Sequence, residues 1–162
     1  MKKPVISLLS TLVGAGIGAV AVSKGVVERK TKESDKWKEL ADKHLVLMQL
    51  FNQWMITKQE GKSVIDYFER ENIKSIAIYG MSFVGERLYD ELKKSNIDVK
   101  FAIDKKADRI YSDVEVVTPD DMFEEVDAIV VTPVFYYEEI ESFLTKKTDI
   151  TIISFEDILY CL

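Results

Sequence analysis

The chain has 162 residues, enough for one ordinary domain with an appendage, and it is 47% hydrophobic and 31% charged, as globular proteins are. Its net charge of −6 is unevenly divided, because residues 1–62 carry 11 Lys and Arg against 6 Asp and Glu, whereas residues 63–162 carry 11 against 22. The acidic second part is a poor candidate for binding nucleic acid, and one cysteine, Cys161, with one histidine, His44, excludes an intramolecular disulfide and multi-cysteine or histidine-rich metal sites.

The N-terminus carries an uncharged apolar stretch, Val5 to Val22, behind Lys2 and Lys3. As a helix it would span about 27 Å, close to the ~30 Å core of a bilayer. Small residues recur in it at every fourth position, a pattern that lets two membrane helices approach closely. We therefore predict a single-pass transmembrane anchor over residues 1–24.

Two alternatives stay open for the same stretch. Ala19-Val20-Ala21 is typical of the cleavage site of a secretory signal peptide. Gly14 to Ala19 matches the glycine spacing of a dinucleotide-binding turn, although no strand ending in an acidic residue follows it.

The charges that flank the anchor predict its orientation. Two lysines and the α-amine precede it, and a larger basic cluster follows it, made of Lys24, Arg29, Lys30, Lys32, Lys36 and Lys38. By the positive-inside rule the larger cluster stays in the cytoplasm. The expected location is the cell membrane, with the soluble part of the chain in the cytoplasm.

Residues 25–62 are predicted to form one long amphipathic helix, from Gly25 to Glu60, with Gly61 as its C-terminal cap. Its apolar side chains alternate at spacings of three and four, as in a coiled-coil seam, and further apolar residues widen the stripe. So wide a stripe favours packing on a domain or in a helical dimer. We interpret the side chains on this seam as packing or interfacial residues rather than ligands: Trp37, Leu40, His44, Leu47, Phe51 and Trp54.

Residues 63–162 alternate short apolar strands with helices, which is the pattern of a parallel sheet covered on both faces. The fold class is therefore α/β, a Rossmann-like sheet of about five strands in the order 3-2-1-4-5. The strands are predicted at 75–79, 99–103, 114–117, 128–132 and 150–154, and the helices at 64–71, 83–94, 136–145 and 156–160. Ser63 should cap the first of these helices, and Thr118-Pro119-Asp120-Asp121 should begin another.

The turn after the first strand carries the clearest binding signal. It reads Gly80-Met81-Ser82-Phe83-Val84-Gly85, which matches a dinucleotide-binding fingerprint except that Ser82 replaces the middle glycine. Gly80 allows a tight turn, Gly85 allows the helix to approach the strand, and the amides of Ser82 to Val84 would face an anion. Serine is small and its hydroxyl can bond a phosphate.

The ends of two other strands complete the predicted site. Asp104 follows the second strand, in the place of the acid that binds a ribose diol. Lys105 and Lys106 could attract a 2′-phosphate or a sugar-nucleotide phosphate, unless they only form a solvated turn. The candidate cofactor-binding residues are Gly80, Ser82, Phe83, Val84, Gly85, Asp104, Lys105 and Thr132, and the cofactor would be NAD(P) or a nucleotide-sugar.

The alternative is that these residues only serve turns in an α/β domain that binds nothing. No catalytic set can be assembled from the sequence, and no metal site is expected. Tyr89 and Lys93 have the spacing of the pair used by short-chain dehydrogenases, but they follow the first strand, which is the wrong element for that chemistry. Independent catalytic activity is therefore not expected, although an oxidoreductase or epimerase site completed by another subunit stays open.

The ordered motifs from Ile76 through Asp104 to Pro133 resemble a Rossmann-like family associated with bacterial surface-polysaccharide genes, over about residues 45–160. The segment is similar to the sugar-nucleotide-binding domains of certain sugar acetyltransferases, and to domains appended to glycosyltransferases and methyltransferases. The resemblance implies an accessory or regulatory role in cell-envelope polysaccharide biosynthesis. The expected partners are a nucleotide, the membrane, and a second copy or a polysaccharide-synthesis enzyme. A non-catalytic scaffold that self-associates or docks on a membrane enzyme, without binding nucleotide, is the alternative.

Overall fold

A computed structural model describes residues 4–121 and 124–162, with side chains from Arg29 onward. The chain divides into two compact units, Met1–Leu45 and Val46–Leu162. The first helix, α1 (Pro4–Gln59), belongs partly to each unit, and every later element belongs to the second.

The helix α1 confirms the prediction of a long helix and extends it towards the N-terminus. Within the described part of the chain, no helix combines the length and the apolar character needed to cross a membrane. The predicted anchor from Val5 to Val22 lies outside the residues whose side chains are described, so the anchor and its two alternatives stay predictions.

The predicted apolar stripe of α1 packs only at its C-terminal end. Leu50 and Trp54 are buried, and the Trp54 ring meets the ring of Phe155 edge-on, with 4.7 Å between centroids. Trp54 is therefore a packing residue, as predicted. Trp37 is 61% exposed and His44 is also exposed, so neither packs against the described residues, and an interfacial role for them stays a prediction.

Two local signals after α1 are confirmed. Gly61 has a positive φ of 76°, and the amides of Gly61 and Lys62 donate to the carbonyls of Lys58 and Thr57, which closes the helix in a Schellman motif. Ser63 then begins α2 (Val64–Arg70) with a capping box to Asp66.

The sheet has five parallel strands in the order β3-β2-β1-β4-β5, which confirms the predicted α/β class and strand order. In chain order the elements are β1 (Ser75–Tyr79), α3 (Phe83–Leu92), β2 (Asp98–Ile103), β3 (Val116–Val117), β4 (Ala128–Val131), α4 (Tyr137–Leu144), β5 (Thr151–Ser154) and α5 (Phe155–Tyr160). Short 3-10 turns cover Ala107–Arg109 and Val134–Tyr136. The strand order reverses between β1 and β4, which places the ligand crevice of such folds at the carboxyl ends of these strands.

The structure differs from the predicted elements around β3. Strand β3 is shorter than the predicted 114–117: only Val116 and Val117 lie opposite β2 residues, and the Glu115 carbonyl accepts a hydrogen bond from the Ala102 amide just before them. The prediction of a helix that begins at Thr118 is wrong. Asp121 accepts hydrogen bonds from the Thr118 amide and hydroxyl at 2.6 and 2.9 Å, and the described residues 118–121 and 124–127 form a turn and irregular chain instead.

The core of the second unit lies on both faces of the sheet. One face is covered by α2, α3, α5 and the end of α1, with Phe68, Leu88 and Phe155 fully buried. The other face is covered by α4, through Ile140 and Leu144. Because both faces are covered, β4 and the C-terminal parts of β1 and β2 are apolar and buried, and polar chemistry is left to the carboxyl ends of the strands.

Candidate functional site

The site begins at Gly80, where β1 leaves the sheet. Gly80 has a positive φ of 94°, and a Cβ atom there would lie 2.6 Å from Cγ of Pro133 and 3.0 Å from Oγ1 of Thr132. The Thr132 hydroxyl lies 2.7 Å from the Gly80 carbonyl oxygen and 3.1 Å from that of Tyr79. Glycine is therefore required, because both the backbone angle and the neighbouring loop exclude a side chain.

Gly85 fixes the approach of α3 to this turn. A Cβ atom at Gly85 would lie 2.0 Å from the Gly80 carbonyl oxygen. Real Cβ atoms do not come so close to a backbone atom, so the helix could not sit here with any other residue. The two glycines thus have the roles that the fingerprint predicts for them.

The N-terminus of α3 opens at Ser82. This residue has extended backbone angles, and its carbonyl accepts the first helical hydrogen bond, from Glu86 at 2.9 Å. Its hydroxyl makes no capping bond, and within the described residues the amides of Phe83, Val84 and Gly85 have no acceptor. A helix start of this kind carries partial positive charge and free donors, which suit an anion.

Asp104 joins the end of β2 to the glycine turn. Its Oδ2 accepts a hydrogen bond from the Met81 amide at 3.0 Å, and its Oδ1 accepts one from the Lys106 amide at 2.9 Å. The acid therefore holds the turn in place. Each carboxylate oxygen has a second lone pair, so Asp104 can also accept from a ligand hydroxyl.

These elements line a cavity of about 690 Å³ that is open to solvent at the carboxyl ends of β1, β2 and β4. Its size is within the range of small-molecule sites. Five of the eight predicted residues line it: Gly80, Ser82, Phe83, Asp104 and Lys105. Sequence reasoning did not name most of the other lining residues as site residues: Tyr79, Met81, Glu86, Lys106, Arg109, Ile110, Pro133, Tyr136, Glu139 and Ile140.

The three other predicted residues support the cavity without lining it. Val84 is buried in the core, Gly85 contacts the Gly80 carbonyl, and the Thr132 hydroxyl is engaged by backbone oxygens beneath the turn. The prediction of Thr132 as a ligand contact has no support in this geometry. Its hydroxyl instead stabilises the conformation of Gly80.

The walls of the cavity are mixed in charge and in polarity. Lys105, Lys106 and Arg109 stand on the connection after β2, and all three are exposed. The closest carboxylate to Arg109 is that of Asp108, at 3.6 Å, and both side chains are more than three-quarters exposed, so solvent screens the pair. The Phe83 ring is 70% exposed at the start of α3 and offers an apolar surface on which a planar group can stack.

Tyr79 forms part of the cavity floor. It is the last residue of β1 and is 5% exposed. Burial raises the pKa of its hydroxyl, and the nearby carboxylates of Asp104, Glu139 and Asp120 raise it further. Only its position at the end of the central strand could have signalled this role in the sequence.

The described part of the chain contains no group of three or more His, Cys, Asp or Glu side chains placed to hold a metal ion. Comparison of the chain with models of protein families, with curated proteins and with solved structures finds no match. The chemistry of the site therefore has to be argued from the geometry of the cavity itself.

Proposed function

We propose that this protein is a membrane-anchored, cytoplasmic, Rossmann-like module that binds a nucleotide, either NAD(P) or a nucleotide-sugar. Its role would be accessory or regulatory in cell-envelope polysaccharide biosynthesis, without independent catalysis. The anchor and the pathway come from the N-terminal sequence and from the resemblance, whereas nucleotide binding is argued from the cavity.

The observation that carries the proposal is the meeting of three features in one cavity. The open amides of α3 follow Ser82 and supply donors for a phosphate. Asp104 lines the same cavity and can accept from a sugar hydroxyl. The exposed ring of Phe83 supplies a stacking surface, so the phosphate, the sugar and the base of a nucleotide each have a matching group.

Binding is favoured over catalysis by the kinds of side chain around the cavity. Its described lining contains neither histidine nor cysteine. Burial and neighbouring carboxylates raise the pKa of Tyr79, which opposes its use as a base near neutral pH.

Calorimetric titration of the full-length chain with NAD, NADP and UDP-glucose tests the proposal. We expect one of these ligands to bind, and Asp104→Ala to weaken that binding at least about tenfold. The variant loses the carboxylate that would accept from the ligand, and it loses the hydrogen bond from the Met81 amide that holds the glycine turn. The matched control is Asp98→Ala, which removes an exposed carboxylate that pairs with Lys100 away from the cavity.

Thermal unfolding of both variants separates a loss of binding from a loss of folding. An absence of heat with all three ligands would contradict the proposal. So would a folded Asp104→Ala variant that binds as tightly as the wild type.

A scaffold that self-associates is the second candidate, and the exposed apolar side chains of α1 favour it. Trp37 and Leu45 are 61% and 48% exposed in the first unit, and Met48 is 62% exposed in the second. Light scattering of the full-length chain in detergent should then show an oligomer that Trp37→Ser with Met48→Ser disrupts. A monomeric wild type would exclude self-association.

A further inference from the structure

Tyr79 lies where two cavities meet. It lines the cavity of about 690 Å³ described above and a second cavity of about 420 Å³ on the α4 side of the sheet. Lys105, Glu139 and Ile140 are also shared by the two cavities. The two spaces are therefore neighbouring parts of one crevice, and Tyr79 lies between them.

The Tyr79 hydroxyl makes no hydrogen bond with any residue that the structure describes. The side chain as a whole is 5% exposed, and no buried polar atom among the described residues is wholly shut off from solvent and unsatisfied. Tyr79 lines both cavities, so the space open to its side chain is that of the crevice. A buried tyrosine usually finds a partner for its hydroxyl, so a partner in the crevice is expected.

The hydroxyl stays protonated at neutral pH, because burial and then the negative charges of Asp104, Glu139 and Asp120 raise its pKa. A protonated phenol donates one hydrogen bond. The Tyr79 hydroxyl can therefore donate to an acceptor oxygen of a ligand in the crevice, such as a sugar oxygen.

The second cavity has the lining of a site for hydroxyl groups. Asp120 and Glu139 supply carboxylate acceptors, and Lys105 supplies a donor, whereas the amide and hydroxyl of Thr118 already donate to Asp121. Phe143, 41% exposed, adds an apolar surface against which the C–H face of a sugar can lie. Two carboxylates in so small a space disfavour a second phosphate, since like charges would face each other.

We propose that the crevice binds a nucleoside diphosphate-sugar, with the nucleotide in the larger cavity, the sugar in the smaller one, and the Tyr79 hydroxyl donating a hydrogen bond to an oxygen of the sugar. This inference rests on the proposed nucleotide binding and chooses between its two ligand classes. Tyr79 is then a specificity-determining residue that distinguishes the sugar-bearing ligand from the bare diphosphate.

The test uses calorimetry on the full-length chain with UDP-glucose, GDP-mannose and dTDP-glucose, each beside its own nucleoside diphosphate. Tyr79→Phe should weaken the preferred nucleotide-sugar about five- to tenfold, as expected for one lost hydrogen bond, and leave its diphosphate unchanged. Asp120→Asn, on the wall of the smaller cavity only, should show the same contrast. The matched control is Tyr160→Phe, a 63% exposed tyrosine of α5 that should change neither affinity.

The possible failures can be told apart. If the wild type binds the diphosphates and nucleotide-sugars equally, or if Tyr79→Phe weakens both to the same extent, the assignment of the sugar to the smaller cavity is wrong. Binding of NAD in preference to every nucleotide-sugar would overturn the ligand class while leaving nucleotide binding intact. Absence of binding to all these ligands would contradict nucleotide binding itself.

Discussion

The carbonyl oxygen of Gly80 occupies the space that a Cβ atom of Gly85 would need, with 2.0 Å between them. The start of α3 is therefore pressed against the turn at the end of β1. This contact fixes the position of the amides that follow Ser82 relative to Asp104 on the neighbouring strand. The shape of the proposed phosphate site depends on it.

Replacing Gly85 by alanine should force α3 away from β1. We expect Gly85→Ala to lower the free energy of unfolding by about 1–3 kcal/mol, because the clash is with backbone and not with a flexible side chain. Urea unfolding followed by tryptophan fluorescence measures this.

Gly61→Ala is its matched control. Gly61 has a positive φ of 76° but nothing within 4 Å of the added Cβ, so only backbone strain of about 1 kcal/mol should result. Nucleotide binding should be weakened by the first substitution and not by the second. Equal effects of the two on stability and binding would show that the close approach at Gly85 is unimportant.

Glu91 connects three helices through one carboxylate. It accepts hydrogen bonds from the Trp54 indole at 3.1 Å and the Ser63 hydroxyl at 2.9 Å, it pairs with Lys58, and its side chain is only 12% exposed. Glu91→Ala should lower the free energy of unfolding by about 2–3 kcal/mol, since the buried Trp54 indole and the half-buried Ser63 hydroxyl lose their acceptor.

The matched control removes a carboxylate from an exposed ion pair. Glu39→Ala breaks the pair with Lys43 within α1, and the Glu39 side chain is 60% exposed. It should change stability little, because solvent screens the pair. A Glu91 variant as stable as the Glu39 variant would show that Glu91 does not hold these helices together.

Asp127 should make stability depend on pH. Hydrogen bonds from the amides of Lys74 and Ser75, at 2.8 Å each, hold the pKa of Asp127 below its usual 3.8. A carboxyl whose pKa is lower in the folded state contributes fully above its unfolded pKa, and that contribution is lost as pH falls through the folded value.

Asp127→Asn should therefore lower the melting temperature at pH 7, and the difference from wild type should shrink as the pH falls through the lowered pKa of folded Asp127. The exposed residue Asp149, as Asp149→Asn, is the control and should show no such difference. A gap between wild type and Asp127→Asn that persists unchanged at low pH would contradict the role of these hydrogen bonds.

The parts of the fold that the sequence predicts are those set by local rules. Gly61, Ser63, Gly80 and Gly85 each meet a backbone requirement that few other residues satisfy, and the structure uses each one as expected. The apolar runs of the five strands specify a parallel sheet, because both of its faces are covered.

The errors arise where tertiary contacts decide the outcome. Thr118 and Asp121 carry the signal of a helix start, but their hydrogen bonds close a turn instead. Trp37 and Trp54 have the same heptad signal, yet only Trp54 finds a buried contact within the chain. Tyr79 has the sequence pattern of an ordinary strand residue, and only the assembled fold places it in the wall of two cavities.

The most direct measurement of the central claim is the affinity of Ser82→Asp for whichever of NAD, NADP and UDP-glucose the wild type binds most tightly. An aspartate at position 82, the N-cap residue just before α3, caps the helix and occupies the same amides that a phosphate would use. We predict that Ser82→Asp keeps or raises the melting temperature and loses binding at least about tenfold, whereas Ser82→Ala stays within a few fold of wild type. A stable Ser82→Asp variant that binds as tightly as wild type would contradict the claim that a phosphate sits at the start of α3.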